Sequence, residues 1–166
     1  MHHLFTPWRY SYILSSPATA DCFFCAAAAR PDDPDGLVVH VARHHLVMLN
    51  LHPYSNGHVM VAPLRHLASP DEGDGESQAE FWPLVLRTLR VLQQAYLPHG
   101  LNLGMNLGAP AGAGVPDHYH FHLVPRWTGD TNFMTVLAAT RLIPEDLRES
   151  RRRLRALFNR EEESLG

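Results

Sequence analysis

Short apolar runs closed by turn residues share the chain with two stretches of helical periodicity. Leu37 to Val41, Leu46 to Leu49 and His58 to Ala62 each predict a β-strand ended by turn residues or proline. The interval Pro53-Tyr54-Ser55-Asn56-Gly57 contains Asn-Gly, a strong turn signal. Pro31 to Gly36 and Ser69 to Gly75 are loops by composition. After the second loop, Val85, Leu89, Leu92 and Tyr96 recur at helical spacing, which predicts a long helix. Ser77 and Glu80 match a capping box at its start. Pro83 conflicts with that start, because it removes an interior hydrogen bond, so the pattern predicts a kink or a later beginning. Beyond Pro98-His99-Gly100, strands are expected over Leu101 to Leu107 and Tyr119 to Val124, separated by a Gly/Ala/Pro loop. A strand over Phe133 to Ala138 and a helix from about Pro144 complete the series. Strands outnumber helices and their links are short, as antiparallel neighbours require. The fold class is α+β.

At 166 residues a single domain with one core is expected. A hydrophobic fraction of 45% and a formal net charge of -3 belong to a globular chain, not an unfolded one. No run approaches the ~20 apolar residues of a membrane-spanning helix. The start Met1-His2-His3-Leu4-Phe5-Thr6-Pro7-Trp8 lacks the basic, then apolar, layout of a secretory signal. Cys22 and Cys25 are too few for a disulfide framework, so a cytoplasmic protein is expected. All 14 cationic side chains are Arg, which excludes a catalytic lysine. Net acidity argues against a nucleic-acid partner. Arg148, Arg151, Arg152, Arg153 and Arg155 interleave with Leu147, Leu154, Leu157 and Phe158, and predict an amphipathic helix with a solvated cationic face.

The 12 histidines are the unusual number. In Asp117-His118-Tyr119-His120-Phe121-His122-Leu123-Val124-Pro125-Arg126-Trp127, strand alternation sends His118, His120 and His122 to one face. Tyr119, Phe121 and Leu123 face a core. Successive imidazoles on one face have Cα atoms roughly 6.5–7 Å apart, so their mutual repulsion favours at least one neutral ring. A neutral imidazole serves as nucleophile or metal ligand. Three readings stand: surface histidines, a catalytic metal site of the His-x-His kind, or a central nucleophile flanked by groups that orient it and bind phosphate.

His-φ-His-φ-His-φ-φ, with φ apolar, resembles the signature of the histidine-triad (HIT) superfamily of nucleotide hydrolases and transferases. Gly57 to His66 is similar to its Gly-His-strand-Pro-x-x-His segment, and Leu101 to Gly108 to its Asn-x-Gly strand end. The blocks Leu4 to Arg9, Asn50 to His58 and Pro125 to Phe133 resemble the bacterial diadenosine tetraphosphate phosphorylase branch. The resemblance implies a HIT-like antiparallel sheet with one long helix and a C-terminal helix. It also implies one HIT domain over 1–166, its core about 20–127 and a C-terminal extension over 128–166.

By the same resemblance His120 is the nucleophile, attacking the α-phosphorus to give a nucleotidyl-imidazole. Water or inorganic phosphate then releases the nucleotide. His122 and the backbone N–H groups of Gly112, Ala113 and Gly114 are the expected phosphate donors, with His118 the third member of the triad. Asn50 matches the ribose-binding position, Asn106 the phosphate or leaving-group contact, and Phe24, Met48 and Leu51 the base enclosure. Trp127 is expected as a pocket wall. Many members carry Gln followed by Ser or Thr where this chain has Ala113 and Gly114, and the loop holds one extra residue before His118. Those departures bear on leaving-group preference.

Cys22-Phe23-Phe24-Cys25 is a C-x-x-C pair, which alone is open to a redox couple, a zinc half-site or no function at all. No thioredoxin-like pattern surrounds it. The resemblance implies a structural zinc on Cys22, Cys25, His66 and His118, with His44, His45 and His58 as rivals. No organic cofactor is implied. The expected partners are a dinucleoside polyphosphate substrate and a second copy of the chain, with no nucleic acid and no membrane.

Overall fold

The computed structural model describes residues 22–130 and 145–163. The blocks at 4–9 and the expected strand at 133–138 lie outside them. Helix α1 (Phe23–Ala29) leads into strands β1 (Val38–Val41), β2 (His45–Leu49) and β3 (Val59–Pro63). Helix α2 (Gly75–Tyr96), β4 (Gly100–Met105), β5 (Phe121–Arg126) and helix α3 (Leu147–Glu163) follow. The strands form one antiparallel sheet in the order β1-β2-β3-β5-β4. The architecture is α+β, and no described helix is long and apolar enough to cross a membrane.

The sheet is covered on both faces, which explains why β2 and β3 read as unbroken apolar runs rather than alternating ones. Val47, Leu49, Val59, Val61 and Leu123 pack under α2 and α3, against Leu84, Val85, Leu92, Leu154 and Phe158. On the opposite face Leu46, Met48, Met60 and Ala62 enclose Cys22 and Phe24 of the α1 segment. Arg87 of α2 joins α3, donating to the Phe158 carbonyl at 2.8 Å and pairing with Glu161 at 3.2 Å.

Helix α2 departs from its expected start. Asp74, not Ser77, caps it: the Asp74 carboxylate accepts from the Ser77 N–H at 2.9 Å. An anion at this end also meets the favourable end of the helix dipole. Glu80 makes no capping box and instead accepts from the backbone N–H groups of Arg43 and His44. Pro83 lies inside the continuous helix, which begins earlier than expected, not later.

The cationic face of α3 is solvated at Arg148 and Arg152, as expected, and it is also paired. Arg151 donates to the carbonyls of Val38, Pro34 and Asp33, while Arg148 and Arg155 reach Asp35 and Asp32. This helix starts at Leu147, with the Asp146 carboxylate accepting from the Arg148 N–H at 2.7 Å. Helix α1 was not foreseen, although its Cys25-Ala26-Ala27-Ala28-Ala29 run favours helix by propensity.

The Asn56-Gly57 turn is present, with Gly57 at φ 71°. A Cβ at Gly57 would stand 2.5 Å from the Tyr96 ring, so backbone conformation and close approach both demand glycine. Gly57→Ala is expected to lower unfolding free energy by about 1–3 kcal/mol, measurable by urea titration.

Burial holds His45 below the ordinary histidine range, partly offset by its bond to Glu80. Burial pushes Glu80 up, but hydrogen bonds from His45 and His44 outweigh it and hold the carboxyl below its usual range. The unfolded imidazole takes up a proton below about pH 6.5 while folded His45 resists it. The unfolded state therefore binds more protons, and stability should fall as pH drops below about 6.5. Glu80 adds to the loss in the same direction at lower pH. Denaturation midpoints measured at successive pH values should decline more gently in His45→Leu than in the parent.

Candidate active site and metal centre

The ladder of β5 begins at Phe121, which pairs with Val61, while His122 pairs with Met60 and Gly104. The strand expected from Tyr119 thus starts two residues later, and His118 and His120 precede it. All three histidines nonetheless share the sheet face of α1. The Phe24 ring packs 5.0 Å from that of His118 and 4.8 Å from that of His120, centroid to centroid. The His120 and His122 rings meet edge-on at 4.9 Å. Tyr119 and Leu123 are buried on the helix side, as alternation requires.

Backbone carbonyls fix which ring nitrogen carries each proton, because a carbonyl only accepts. His120 Nδ1 lies 3.0 Å from the His118 carbonyl, so Nδ1–H donates and Nε2 keeps its lone pair. His118 Nε2 lies 2.9 Å from the Pro63 carbonyl, so Nε2–H donates and Nδ1 keeps the lone pair. Burial pushes both imidazoles down, His118 to about 4, against the opposing pull of these bonds; His66 and His120 push His118 lower still. Both rings are therefore neutral near pH 7.

A further histidine joins the group. The Tyr54 N–H donates to His58 Nδ1 at 3.1 Å, which leaves the proton of the neutral ring on Nε2. His58 Nε2 is 2.9 Å from His122 Nδ1, so this chain leaves His122 with a proton on Nε2. Sequence reasoning weighed His58 only as a rival metal ligand. Alternation in β3 puts it on the face of Met60, and only the pairing of Met60 with His122 brings the two rings together.

The other expected residues divide. Phe24 and Met48 are buried beside the site, and Leu51 is 51% exposed. Asn50 Oδ1 accepts from the His52 N–H at 2.9 Å, and Asn106 Nδ2 donates to the Gly112 carbonyl at 3.3 Å. Expected as phosphate donors, the N–H groups of Gly112 and Ala113 instead close their own turn, onto the carbonyls of Ala109 and Gly108. Gly114 completes the loop, and the Ala113 side chain is buried. Trp127 is not brought to the histidines. Five residues beyond His122, it follows the far end of β5 and its ring lies 6.5 Å from Tyr96 at the end of α2. Alternation from Leu123 sends it to the helix side of the sheet.

The Cys22, Cys25, His66 and His118 ligand atoms all lie within 4.8 Å of one another, close enough to hold a metal ion. Cys22 Sγ is 3.4 Å and Cys25 Sγ 3.6 Å from His118 Nδ1, with Cys25 Sγ 3.3 Å from His66 Nδ1. Tetrahedral zinc with ordinary Zn–S and Zn–N bonds sets sulfur and nitrogen about 3.6 Å apart. The donor set fits. Burial, with Cys22 beside it, pushes the Cys25 thiol up, so a thiolate pair here needs a cation. Among the expected rivals, His45 binds Glu80 and Tyr119, His58 binds His122, and His44 faces Glu76 at 3.4 Å.

Comparison with known proteins supplies the family. Residues 33–129 match the model described as the HIT domain. An AP-4-A phosphorylase of Mycobacterium tuberculosis is 37% identical over 161 residues, covering 93% of this chain and 83% of that protein. An adenosine 5'-monophosphoramidase of Schizosaccharomyces pombe is 33% identical over 105 residues, covering 63% of this chain and 74% of that one. A Zn-bound histidine triad family protein from Mycobacterium smegmatis superposes with a TM-score of 0.69 at 27% identity, covering 89% of this chain and 99% of that one. With that match, the covered length of these relatives and the three alternating histidines, the chain belongs to the HIT family.

Proposed function

We propose that the chain is a nucleotidyl transferase acting on dinucleoside polyphosphates by phosphorolysis, with diadenosine tetraphosphate as substrate. The observation that carries this is the 3.0 Å bond from His120 Nδ1 to the His118 carbonyl, which leaves a neutral ring with its lone pair at Nε2. The phosphorylase relative, similar over nearly the whole chain, supports the choice of substrate.

His120 Nε2 attacks the α-phosphorus in line. The bond from phosphorus to the bridging oxygen breaks, and ATP leaves with the electron pair. An oxygen of inorganic phosphate then attacks the same phosphorus. The P–N bond breaks, its pair returns to Nε2, and ADP is released. Charge builds on the non-bridging oxygens in both steps. His122, protonated at Nε2 through the Tyr54–His58 chain, is the donor for that charge. Asn50 takes the ribose, Asn106 the phosphate side, and Phe24, Met48 and Leu51 the base.

The metal is zinc, held by Cys22, Cys25, His66 and His118 as a structural cross-link with no open position. Among the described residues, the side chains close enough together to hold a metal are Cys22, Cys25, His66 and His118, and that group takes in neither His120 nor His122. The chain works as one domain in the cytoplasm and as a homodimer. Exposed Trp82 and Leu86 of α2, and Leu103 of the edge strand β4, supply the apolar surface for the second copy. A second reading has water as acceptor, in a hydrolase of dinucleoside polyphosphates or phosphoramidates. The phosphoramidase relative favours it.

Incubation with diadenosine tetraphosphate should yield ATP and ADP only when phosphate is supplied. AMP formed without phosphate would assign the water reaction. Mass spectrometry of protein quenched during turnover should find a nucleotidyl group on His120. His120→Ala should lose the adduct and at least about 10³-fold in kcat. Metal analysis should return one zinc per chain. Chelation or Cys25→Ser should lower the melting temperature by roughly 10 °C.

A further inference from the structure

The nucleophile sits just outside the ladder that orders the rest of its strand. Pairing of β5 with β3 begins at Phe121, so sheet hydrogen bonds do not fix the peptides at 118–120. Other contacts must hold them. The Tyr119 N–H donates to the Leu67 carbonyl at 2.7 Å, tying the backbone. The Tyr119 side chain runs to the helix side and is 2% exposed. There its hydroxyl lies 2.9 Å from His45 Nε2, and His45 Nδ1 lies 2.9 Å from Glu80 Oε1 of α2. Phe81 packs edge-on against Tyr119, 6.0 Å between centroids, and tilted against His45 at 5.6 Å.

The direction of this chain follows from its end. An ionised Glu80 only accepts, so His45 Nδ1–H donates to it and His45 Nε2 accepts from the Tyr119 hydroxyl. Glu80 is itself pinned by the N–H groups of Arg43 and His44, at 3.0 and 2.9 Å. A buried ring of such geometry costs more than a leucine in its place unless every bond is made, and here each is. His118 and His120 flank Tyr119 and face the other way. A turn of the peptide about Tyr119 would therefore swing both imidazoles, and with them the His118 carbonyl that holds His120 Nδ1.

The geometry points to Glu80, His45 and Tyr119 as positioning residues that fix the aim of His120 from the opposite face of the sheet, a role that rests on the phosphorus-attacking function of His120. None of them touches substrate. Their effect is carried by orientation, where a displacement of ~1 Å can cost on the order of 10² in rate.

The test uses the full-length, zinc-loaded protein and three readings: kcat and KM with diadenosine tetraphosphate, melting temperature, and the imidazole ¹⁵N spectrum that reports the His120 tautomer. Tyr119→Phe should lower kcat by about 10–100-fold with KM within about twofold, and the His120 Nδ1–H tautomer should become mixed. Glu80→Gln should do the same to a smaller degree and serves in its place if Tyr119→Phe does not fold. The double variant His45→Leu/Tyr119→Phe removes both partners of one bond, so its loss of melting temperature should be smaller than the sum of the two single losses, while turnover stays slow. Folded variants with parental kcat and an unchanged His120 tautomer would overturn the assignment, as would a loss of melting temperature alone. If the parent turns over no nucleotide, the functional reading fails by itself. The tautomer spectra then still decide whether this chain of bonds aims His120.

Discussion

His118 is held at both ends of its own residue, and the candidate chemistry depends on that. Its ring donates to the Pro63 carbonyl, which turns the remaining lone pair toward the thiols of Cys22 and Cys25. Its backbone carbonyl accepts from His120, which decides where the neighbouring ring keeps its lone pair. One residue thus couples a metal-binding cluster to the tautomer of a prospective nucleophile, with no long path between them. Pro63 closes β3, so the sheet register is what brings the first of these acceptors into place.

The two faces of the sheet have divided labour. One carries the hydrophobic mass of α2 and α3, whose Leu92, Leu154 and Phe158 are fully buried or nearly so. The other carries the thin α1 segment and the imidazoles, with Phe24 filling the space between metal ligands and nucleophile. Rigid packing behind the sheet allows polar, partly satisfied chemistry in front of it.

Much of this was legible in the chain. The alternation from His118 to Leu123 separated core from site, and the family resemblance, added to the C-x-x-C pair, implied the metal cluster with His66 and His118. What the sequence hid were partners set by tertiary register. His58 meets His122 because Met60 pairs with it, which no local pattern announces. Glu80 abandons its capping role because three donors from the β1–β2 turn and β2 converge on it, while Asp74 takes the helix end. The resemblance implied phosphate donors in the glycine loop, yet the N–H groups of Gly112 and Ala113 fold back onto their own turn, with Gly108 and Gly112 at positive φ. Trp127, expected as a pocket wall, falls on the helix side beside Tyr96, where alternation onward from Leu123 carries it.

The grip of Arg151 on the segment between α1 and β1 has a consequence for how this chain can drift. Its acceptors are the main-chain oxygens of Asp33, Pro34 and Val38, which any amino acid could present. This contact therefore places no demand on the side chains of the clasped segment so long as its path survives, whereas the guanidinium has no substitute with the same fork of donors. Evolutionary latitude on the two sides of that contact is unequal.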